Sequence, residues 1–524
     1  MNGRWRVAAV MGCMWVASLL YGEVFIYRLP LWTCPWPSLN ANQVQDSPKS
    51  PIRVLVIADP QITDRTSYGM KPGSLALWLT QFYSDIYMRR AFRTSVLGLE
   101  PEQIVFLGDL FDGGPFLSPK EWQESLERFR HIFDQSQGAI KDRGRKEIPM
   151  HTLPGNHDLG YEAVQTQIPE VVAHYKQVFG GLDYRIKIGG VEFVFVDAQV
   201  LDAAVADVAN SSWSFIQEIS KEKNPLPRVL VTHIPLYRPD DTPCGANRAS
   251  PVINQRVRSM QSQPFQILYQ NYLTESSSTR LLDAIKPVMV LSGHDHDQCY
   301  HVHETTQGSF PEYTVGSFSW QQGNLYPSMM LLSIARDAQN SPSPEAVVAS
   351  HLCFLPVQIA VYIWYGVLLI ITILAILLWP ARGLLLNSTQ KFIAMLMNIR
   401  SSSGLKAKDE DAEWEMVWDA EGGMHLINKG PKTPAVPIGS SKTSAKRGTV
   451  ARRTGHELHV DTILKLPMDT NRLSPSPSTI LRSVSRKAHP LSVKIIQILA
   501  PILSLAGLNI SLYVMLLMID WTTL

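Results

Sequence analysis

Cysteine is scarce in this chain: five residues in 524. None stands in a CxxC pair, which excludes a disulfide-built scaffold and the usual paired-thiolate zinc site. Charge is scarce too. Charged residues make up 18% of the chain, where about a quarter is usual. The formal net charge is only +2, so the chain as a whole is no polyanion binder, and no nucleic acid is expected as a partner. Internal repeats of solenoid length are absent. Hydrophobic residues nevertheless reach 45%, which excludes a disordered or collagen-like chain. At roughly 100–200 residues per domain the length allows one large catalytic domain or two smaller ones, with residues to spare. Low charge in a globular composition points to membrane segments.

Three apolar runs supply them. Residues 7–22 carry no charge, follow Arg4 and Arg6, and continue through Glu23 to Arg28. Residues 356–379 and 495–519 are uncharged throughout, and about 20 apolar residues suffice to cross a bilayer as a helix. The first run, within 1–28, reads as a signal anchor, with a cleaved signal peptide as the alternative. Either way residues 29–355 face the lumen. Arg4 and Arg6 favour a cytosolic N-terminus, and Arg382, Lys391, Arg400, Lys406 and Lys408 favour a cytosolic segment after the second run. Residues 29–50 read as a spacer. Residues 380–490, rich in Ser, Thr, Pro, Lys and Arg, read as a largely disordered basic cytosolic loop, with a short surface helix weighed at 385–399. The Asn210-Ser211-Ser212 triplet is a candidate glycosylation site on the lumenal side. Cys244 and Cys299 lie there as well, where a disulfide would persist; two free buried thiols are an equal alternative on sequence grounds.

The chemistry is written between 51 and 350. Five short apolar, β-prone runs each end in a polar, metal-competent residue. Val54–Ala58 ends in Asp59, and Ile104–Gly108 ends in Asp109, with Asp112 close behind. Ile148–Pro154 leads into Gly155-Asn156-His157-Asp158. Val229–Thr232 ends in His233, and Val288–Gly293 ends in His294-Asp295-His296. Continuous apolar runs of this length fit strands buried on both faces, and hence an α/β fold. In such folds function gathers at the carboxyl ends of strands. Singly, each element is weak: an Asp after a strand is usually a turn or cap residue, and a lone His is usually structural. Their joint occurrence in order points to a metal site with more ligands than one ion needs. Carboxylate, amide oxygen and imidazole together suit manganese, iron or zinc. Two such ions roughly 3.5–4 Å apart can activate water, orient a phosphate ester and stabilise an in-line displacement.

The order Asp…Gly-Asp-x-x-Asp…Gly-Asn-His-Asp…His…Gly-His-x-His resembles the calcineurin-like metallophosphoesterase superfamily over roughly residues 51–335. The resemblance implies a β-sandwich flanked by helices and two divalent metals, manganese before zinc or iron. It implies that Asp59 and His296 bind the first metal, that Asp109 bridges both, and that Asn156, His233 and His294 hold the second. His157 would act beside the phosphate as proton donor, with Asp112 and Asp158 orienting the ligands. One position departs: where the superfamily usually shows Asp-x-His, this chain reads Asp59-Pro60-Gln61, which makes Gln61 a weaker possible ligand.

The stretches 233–238, 292–299, 108–114 and 315–320, with a span soon after Cys353, look like the membrane enzymes that remodel glycosylphosphatidylinositol (GPI) anchors, in their fungal branch. That likeness implies a phosphodiesterase of the endoplasmic reticulum membrane that removes ethanolamine phosphate from a mannose of the anchor. Its partners would be GPI-anchored proteins and membrane lipid. Tyr237 and Arg238 are expected against a sugar or phosphate, with a structural ion pair as the equal alternative for Arg238. A Cys244–Cys299 disulfide would tie two loops of the site together. Rival readings are a phosphodiesterase for another lumenal lipid or nucleotide, and a catalytically reduced cargo receptor.

Overall fold

A computed structural model describes residues 3–39, 50–133, 147–204, 206–259, 266–337, 346–378, 414–418, 424–428 and 490–522. Its strands in chain order begin with β1 (Ile52–Ile57), β2 (Gln103–Phe106), β3 (Met150–Thr152), β4 (Tyr184–Ile188) and β5 (Val191–Phe195). There follow β6 (Arg228–Val231), β7 (Val257–Ser259), β8 (Ile267–Gln270), β9 (Met289–Ser292) and β10 (Cys299–Thr305). The last are β11 (Gly308–Thr314), β12 (Ser328–Ile334), β13 (Val348–Phe354), β14 (Trp414–Trp418) and β15 (Met424–Asn428). The helices are α1 (Gly3–Leu20), α2 (Leu29–Thr33), α3 (Leu75–Leu99), α4 (Pro119–Ile132) and α5 (Asn156–Leu159). After them come α6 (Glu162–Gln167), α7 (Pro169–Phe179), α8 (Ala206–Ser220), α9 (Glu275–Ile285), α10 (Gln358–Leu378) and α11 (Pro490–Thr522).

Two mixed sheets face each other. One runs β13-β12-β1-β2-β3 and the other β10-β11-β9-β6-β5-β4. β1, β2 and β3 are parallel neighbours, as are β5, β6, β9 and β11, while antiparallel strands close the flanks. The period of two along each strand explains the uninterrupted apolar runs. Val54 and Val56 of β1 enter the core between the sheets, with Phe193, Phe195, Val229 and Leu291. Leu55 and Ile57 point the other way, to Phe92, Phe106 and Phe129 beneath α3 and α4. On the far face Val194, Leu230 and Val290 meet Trp213, Ile216 and Leu282 of α8 and α9. The result is a helix–sheet–sheet–helix sandwich, so the five strand ends reach the site from two sheets and not from one open sheet.

Local signals set the flanking helices. Ser74 caps α3 by accepting from Leu77 N, and Ser118 with Glu121 forms a reciprocal capping box before Pro119 of α4.

Among the described residues three helical segments are long and apolar enough to cross a membrane: Gly3–Thr33, Gln358–Leu378 and Ile495–Ile519. They dock on the domain through polar contacts in an apolar setting. A π-helical turn, Tyr21–Phe25, buries Glu23, where it forms an ion pair with Arg90 of α3. Tyr365 of α10 donates to the same carboxylate at 2.9 Å, and Arg90 also reaches the Leu516 carbonyl of α11 at 3.4 Å. Tyr27 donates to Gln358 Oε1 at 2.9 Å. Removing either charge from such a pair would strand the other in a medium that cannot solvate it.

Two expectations change. Residues 29–39 are no free spacer: Cys34 is buried, and Trp36 donates to the Leu99 carbonyl at 2.9 Å under the Arg53 guanidinium. The reason lies in Leu-Pro-Leu-Trp-Thr, which is too apolar to stay in water. Within the basic loop, β14 and β15 pair as an antiparallel hairpin. The rest of 380–489, including 385–399, lies outside the described residues.

Candidate metal centre

The carboxyl ends of β1, β2, β3, β6 and β9 converge, and the residues after them form two overlapping groups. Asp59, Asp109 and His296 bring ligand atoms within 4.8 Å of one another, and so do Asp109, His233 and His294. Asp109 belongs to both. Asn156 joins the second group, its Oδ1 lying 3.1 Å from His233 Nε2. Asp59, Gln61, Asp109 and His233 are all fully buried.

The backbone bends sharply to deliver them. Among the described residues nine non-glycine positions have positive φ, and five of these are Asp59, Gln61, Asp109, His294 and His296. That conformation costs of order 1–3 kcal/mol per residue and persists only where the surroundings enforce it. Close packing around the loops does so. A Cβ on Gly155 would fall 2.0 Å from Asp109 Oδ1, and one on Gly108, at φ +96°, would fall 2.7 Å from His233 Nδ1.

Hydrogen bonds aim the side chains. His233 Nδ1 donates to the Leu107 carbonyl at 2.8 Å, which turns Nε2 toward Asp109 Oδ1, 3.3 Å away. His294 N donates to both oxygens of Asp59, at 3.0 and 3.1 Å. Asp158 accepts from the backbone of Gly155, Leu110 and Phe111 at 2.8–3.1 Å, tying the Asn156 loop to the Asp109 loop. His157 Nδ1 donates to the Asp112 carbonyl at 2.5 Å, with the Asp112 carboxylate 3.3 Å away.

Electrostatically, the buried carboxylates and imidazoles shift one another. Burial pushes Asp59 up to about 8, with Asp109 adding to the rise against the pull of His233. Burial alone would raise Asp109 too, but His233 and His157 outweigh it and hold it below the usual carboxylate range. For His233 and His157 burial opposes protonation, yet the carboxylates lift them to about 9 and about 10. Burial and neighbouring His233 push His294 down.

The donor set fits two divalent cations. Gln61 gives the clearest sign. Its Nε2 donates to Asp109 Oδ2 at 3.1 Å, while its buried Oε1 has no partner. A buried amide oxygen without a donor is costly, and a hard cation beside Asp109 is the partner it lacks.

A model of the calcineurin-like phosphoesterase family matches residues 52–298. Residues 52–298 are a calcineurin-like phosphoesterase domain. Metallophosphoesterase 1 of Cricetulus griseus is 28% identical over 381 residues, covering 69% of this chain and 87% of that protein. Cell division control protein 1 of Saccharomyces cerevisiae is 29% identical over 381 residues, covering 69% and 72%. A solved structure, purple acid phosphatase PPD1 from yellow lupin (Lupinus luteus) seeds, is 11% identical over 58% of this chain and 54% of that one, at a TM-score of 0.33. The chain is a metal-dependent phosphoesterase, and the metallophosphoesterase fold of that domain implies a dinuclear divalent site.

Other expected residues of the phosphoesterase fall differently. Cys244 and Cys299 are disulfide-bonded, and Arg248 pairs with Asp295 at 2.7 Å beside the bond. Together they clamp the His294–His296 turn to the loop that follows His233. Arg238 is no open substrate contact. It is 2% exposed, 3.4 Å from Asp295, and stacked at 4.5 Å over Tyr272, so its charge is spent inside the protein. Tyr237 is half-buried. Asn210 is exposed on α8, while Ser212 of the same triplet donates to Asp183 at 2.7 Å.

Three residues have supporting roles that were not assigned from sequence, although Ser317 lies in the 315–320 stretch singled out there. Gln270 offers its carbonyl to His294 Nε2 at 3.1 Å. Ser317 donates to the Asp59 carbonyl at 2.6 Å. Glu312, buried on β11, accepts from Leu236 N, Ser292 Oγ and His303 Nε2 at 3.1, 2.6 and 2.8 Å. It thereby pins the segments that follow β6 and end β9. The acidic residue on the inward register of Phe310, Glu312 and Thr314 was the available signal.

Two outcomes follow from this geometry. Gly155→Ala should leave the chain folded with its disulfide intact but strip it of bound metal, read by elemental analysis of purified protein; full metal content would contradict the account. Glu312 behaves as a pH-dependent pin. Burial would raise its carboxyl, but His303 and Arg238 hold it below the usual range. Its contribution is therefore complete above the unfolded glutamate value of about 4.3 and lost as pH falls through the lower folded value. In denaturant titrations, the stability gap between wild type and Glu312→Gln should be largest near neutrality and close on acidification.

Proposed function

We propose that the phosphoesterase hydrolyses a phosphodiester on a membrane-anchored glycan, removing an ethanolamine phosphate side branch from a mannose of the GPI anchor. The observation that carries this reading is the docking of the catalytic domain, through the buried Glu23–Arg90 pair, on helices that among the described residues are long and apolar enough to cross a membrane. A soluble substrate needs no such tether, whereas a lipid-linked one is held in the plane of the membrane. The likeness of the 108–114, 233–238, 292–299 and 315–320 stretches to the anchor-remodelling enzymes supports the choice of glycan. We place the domain in the lumen of the endoplasmic reticulum, with remodelling of GPI-anchored proteins before export as the outcome.

Asp59, Asp109 and His296 would hold one ion, with Gln61 as a fourth, weaker donor. Asp109, Asn156, His233 and His294 would hold the other. The mixed oxygen and imidazole donors favour manganese, with zinc or iron as substitutes. When bound, the pair supplies Lewis acidity for water activation and neutralises charge on the phosphate. A water oxygen forms a new bond to phosphorus, the bond from phosphorus to the mannose oxygen breaks, and ethanolamine phosphate departs. His157, anchored through Nδ1 to Asp112, keeps Nε2 for handing a proton to the mannose oxygen. Asp158 holds the Asp109 and Asn156 loops in register, and Tyr237 is the candidate for packing on a sugar face.

Mass spectrometry of anchor glycans tests this in cells lacking the protein, with wild-type and Asp109→Asn chains added back. Extra ethanolamine phosphate should persist in the null cells and clear only with wild type. Glycans unchanged by loss of the protein would contradict the assignment and direct the search to another lumenal phosphodiester.

A further inference from the structure

The membrane-length helices do not close fully on one another. Ala8, Met11, Leu368, Ile376 and Leu505 form a small shared core. Beside it lies a cavity of about 640 Å³, walled by Leu19, Leu369, Ile373, Ala506 and Ile510. The catalytic domain borders it as well, through Thr80 and Tyr83 of α3 and through Trp320 and Gln321.

Three observations say what fits. The first is the wall, which is overwhelmingly apolar and stands on helices suited to hydrocarbon, so water there would find few partners. The second is a polar atom at the domain-side border without a partner among the described residues. Trp320 Nε1 is buried with no acceptor. A chain of methylenes ending in oxygen-rich ester and phosphate groups matches an apolar cavity whose domain-side border carries an unused N–H.

The third is continuity with the metal loops. Ser317 holds the Asp59 carbonyl, and four residues later Gln321 borders the cavity. Gln321 Oε1 accepts from Thr63 at 2.8 Å, and its carbonyl accepts from Tyr68 at 2.9 Å. Thr63 is two residues beyond Gln61. The cavity border and the metal-ligand loop are therefore one hydrogen-bonded piece, and at most about 14 Å of extended chain separates Ser317 from Gln321.

We propose that this cavity is a subsite for an acyl chain of the lipid that carries the substrate, with Trp320 and Gln321 at the boundary between chain and headgroup. The proposal rests on the reading that the substrate is lipid-linked. It makes the lipid part of substrate recognition, so that the glycan is presented to the metal centre from a fixed origin.

The test uses the full chain in phosphatidylcholine nanodiscs with three substrates. These are a GPI glycolipid bearing ethanolamine phosphate, the same glycan freed of its lipid, and bis(p-nitrophenyl) phosphate. Ala506→Trp and, as a second variant, Ile373→Trp fill the cavity from different helices. Each should raise KM for the glycolipid about tenfold while leaving the other two substrates within about twofold. Equal wild-type kcat/KM for the glycolipid and the delipidated glycan would overturn the proposal, as would equal losses on all three substrates. Cleavage of bis(p-nitrophenyl) phosphate with neither glycan cleaved would instead sink the glycan assignment. The cavity is then judged with a phosphatidylinositol carrying a diazirine at its acyl terminus. Labelling within Leu369–Ile376 that Ala506→Trp abolishes supports an acyl subsite, and no labelling there overturns it.

Discussion

The Asp109 carboxylate faces two clusters of metal-competent groups at once and is itself fully buried. Much of the structure serves that placement. Asp109 is fully buried in left-handed backbone. Its flank is open to Gly155 only because no side chain grows there, and its neighbouring backbone is held by Asp158. Two carboxylates and several imidazoles crowded into that volume shift one another's protons, raising Asp59 and lifting His233 and His157. The same groups would hold two divalent cations.

From this constraint the architecture follows. Ligands that must meet in a small volume are carried by strand ends, because strands buried on both faces fix their endpoints more firmly than loops do. Two sheets facing each other bring five such ends together, and the residues beneath the rim lock them. Glu312 joins the β6 and β9 ends, and the Cys244–Cys299 bond with the Arg248–Asp295 pair holds the final turn. Burial of Glu23 against Arg90, with Arg90 also reaching the Leu516 carbonyl, ties the apolar helices to α3 of the catalytic domain.

The convergence of Asp59, Asp109, His233, His294 and His296 was legible from sequence because their segments each follow an uninterrupted apolar run, a pattern that survives without knowledge of pairing. The division of those runs between two sheets was not, since Val54–Ile57 and Val229–Val231 look alike until their partners are known. Gln270, Ser317 and Glu312 escaped because their roles depend on contacts distant in sequence; Ser317 meets Asp59 across 258 positions. Arg238 illustrates the converse. Its place five residues after His233 left a substrate contact and a structural ion pair equally open, and Asp295 and Tyr272, invisible as neighbours in the sequence, take up its charge. Glu23 read as an interruption of an apolar run, and its meaning appeared only with Arg90 in place.

Whether one carboxylate serves two ions is the claim on which the account turns, and electron paramagnetic resonance of the manganese-loaded protein addresses it directly. A shared Asp109 predicts the low-temperature multiline spectrum of an exchange-coupled manganese pair, replaced in Asp109→Asn by the signal of isolated ions or by none. A wild-type protein that binds two manganese ions yet shows only uncoupled ones would contradict the shared-ligand centre.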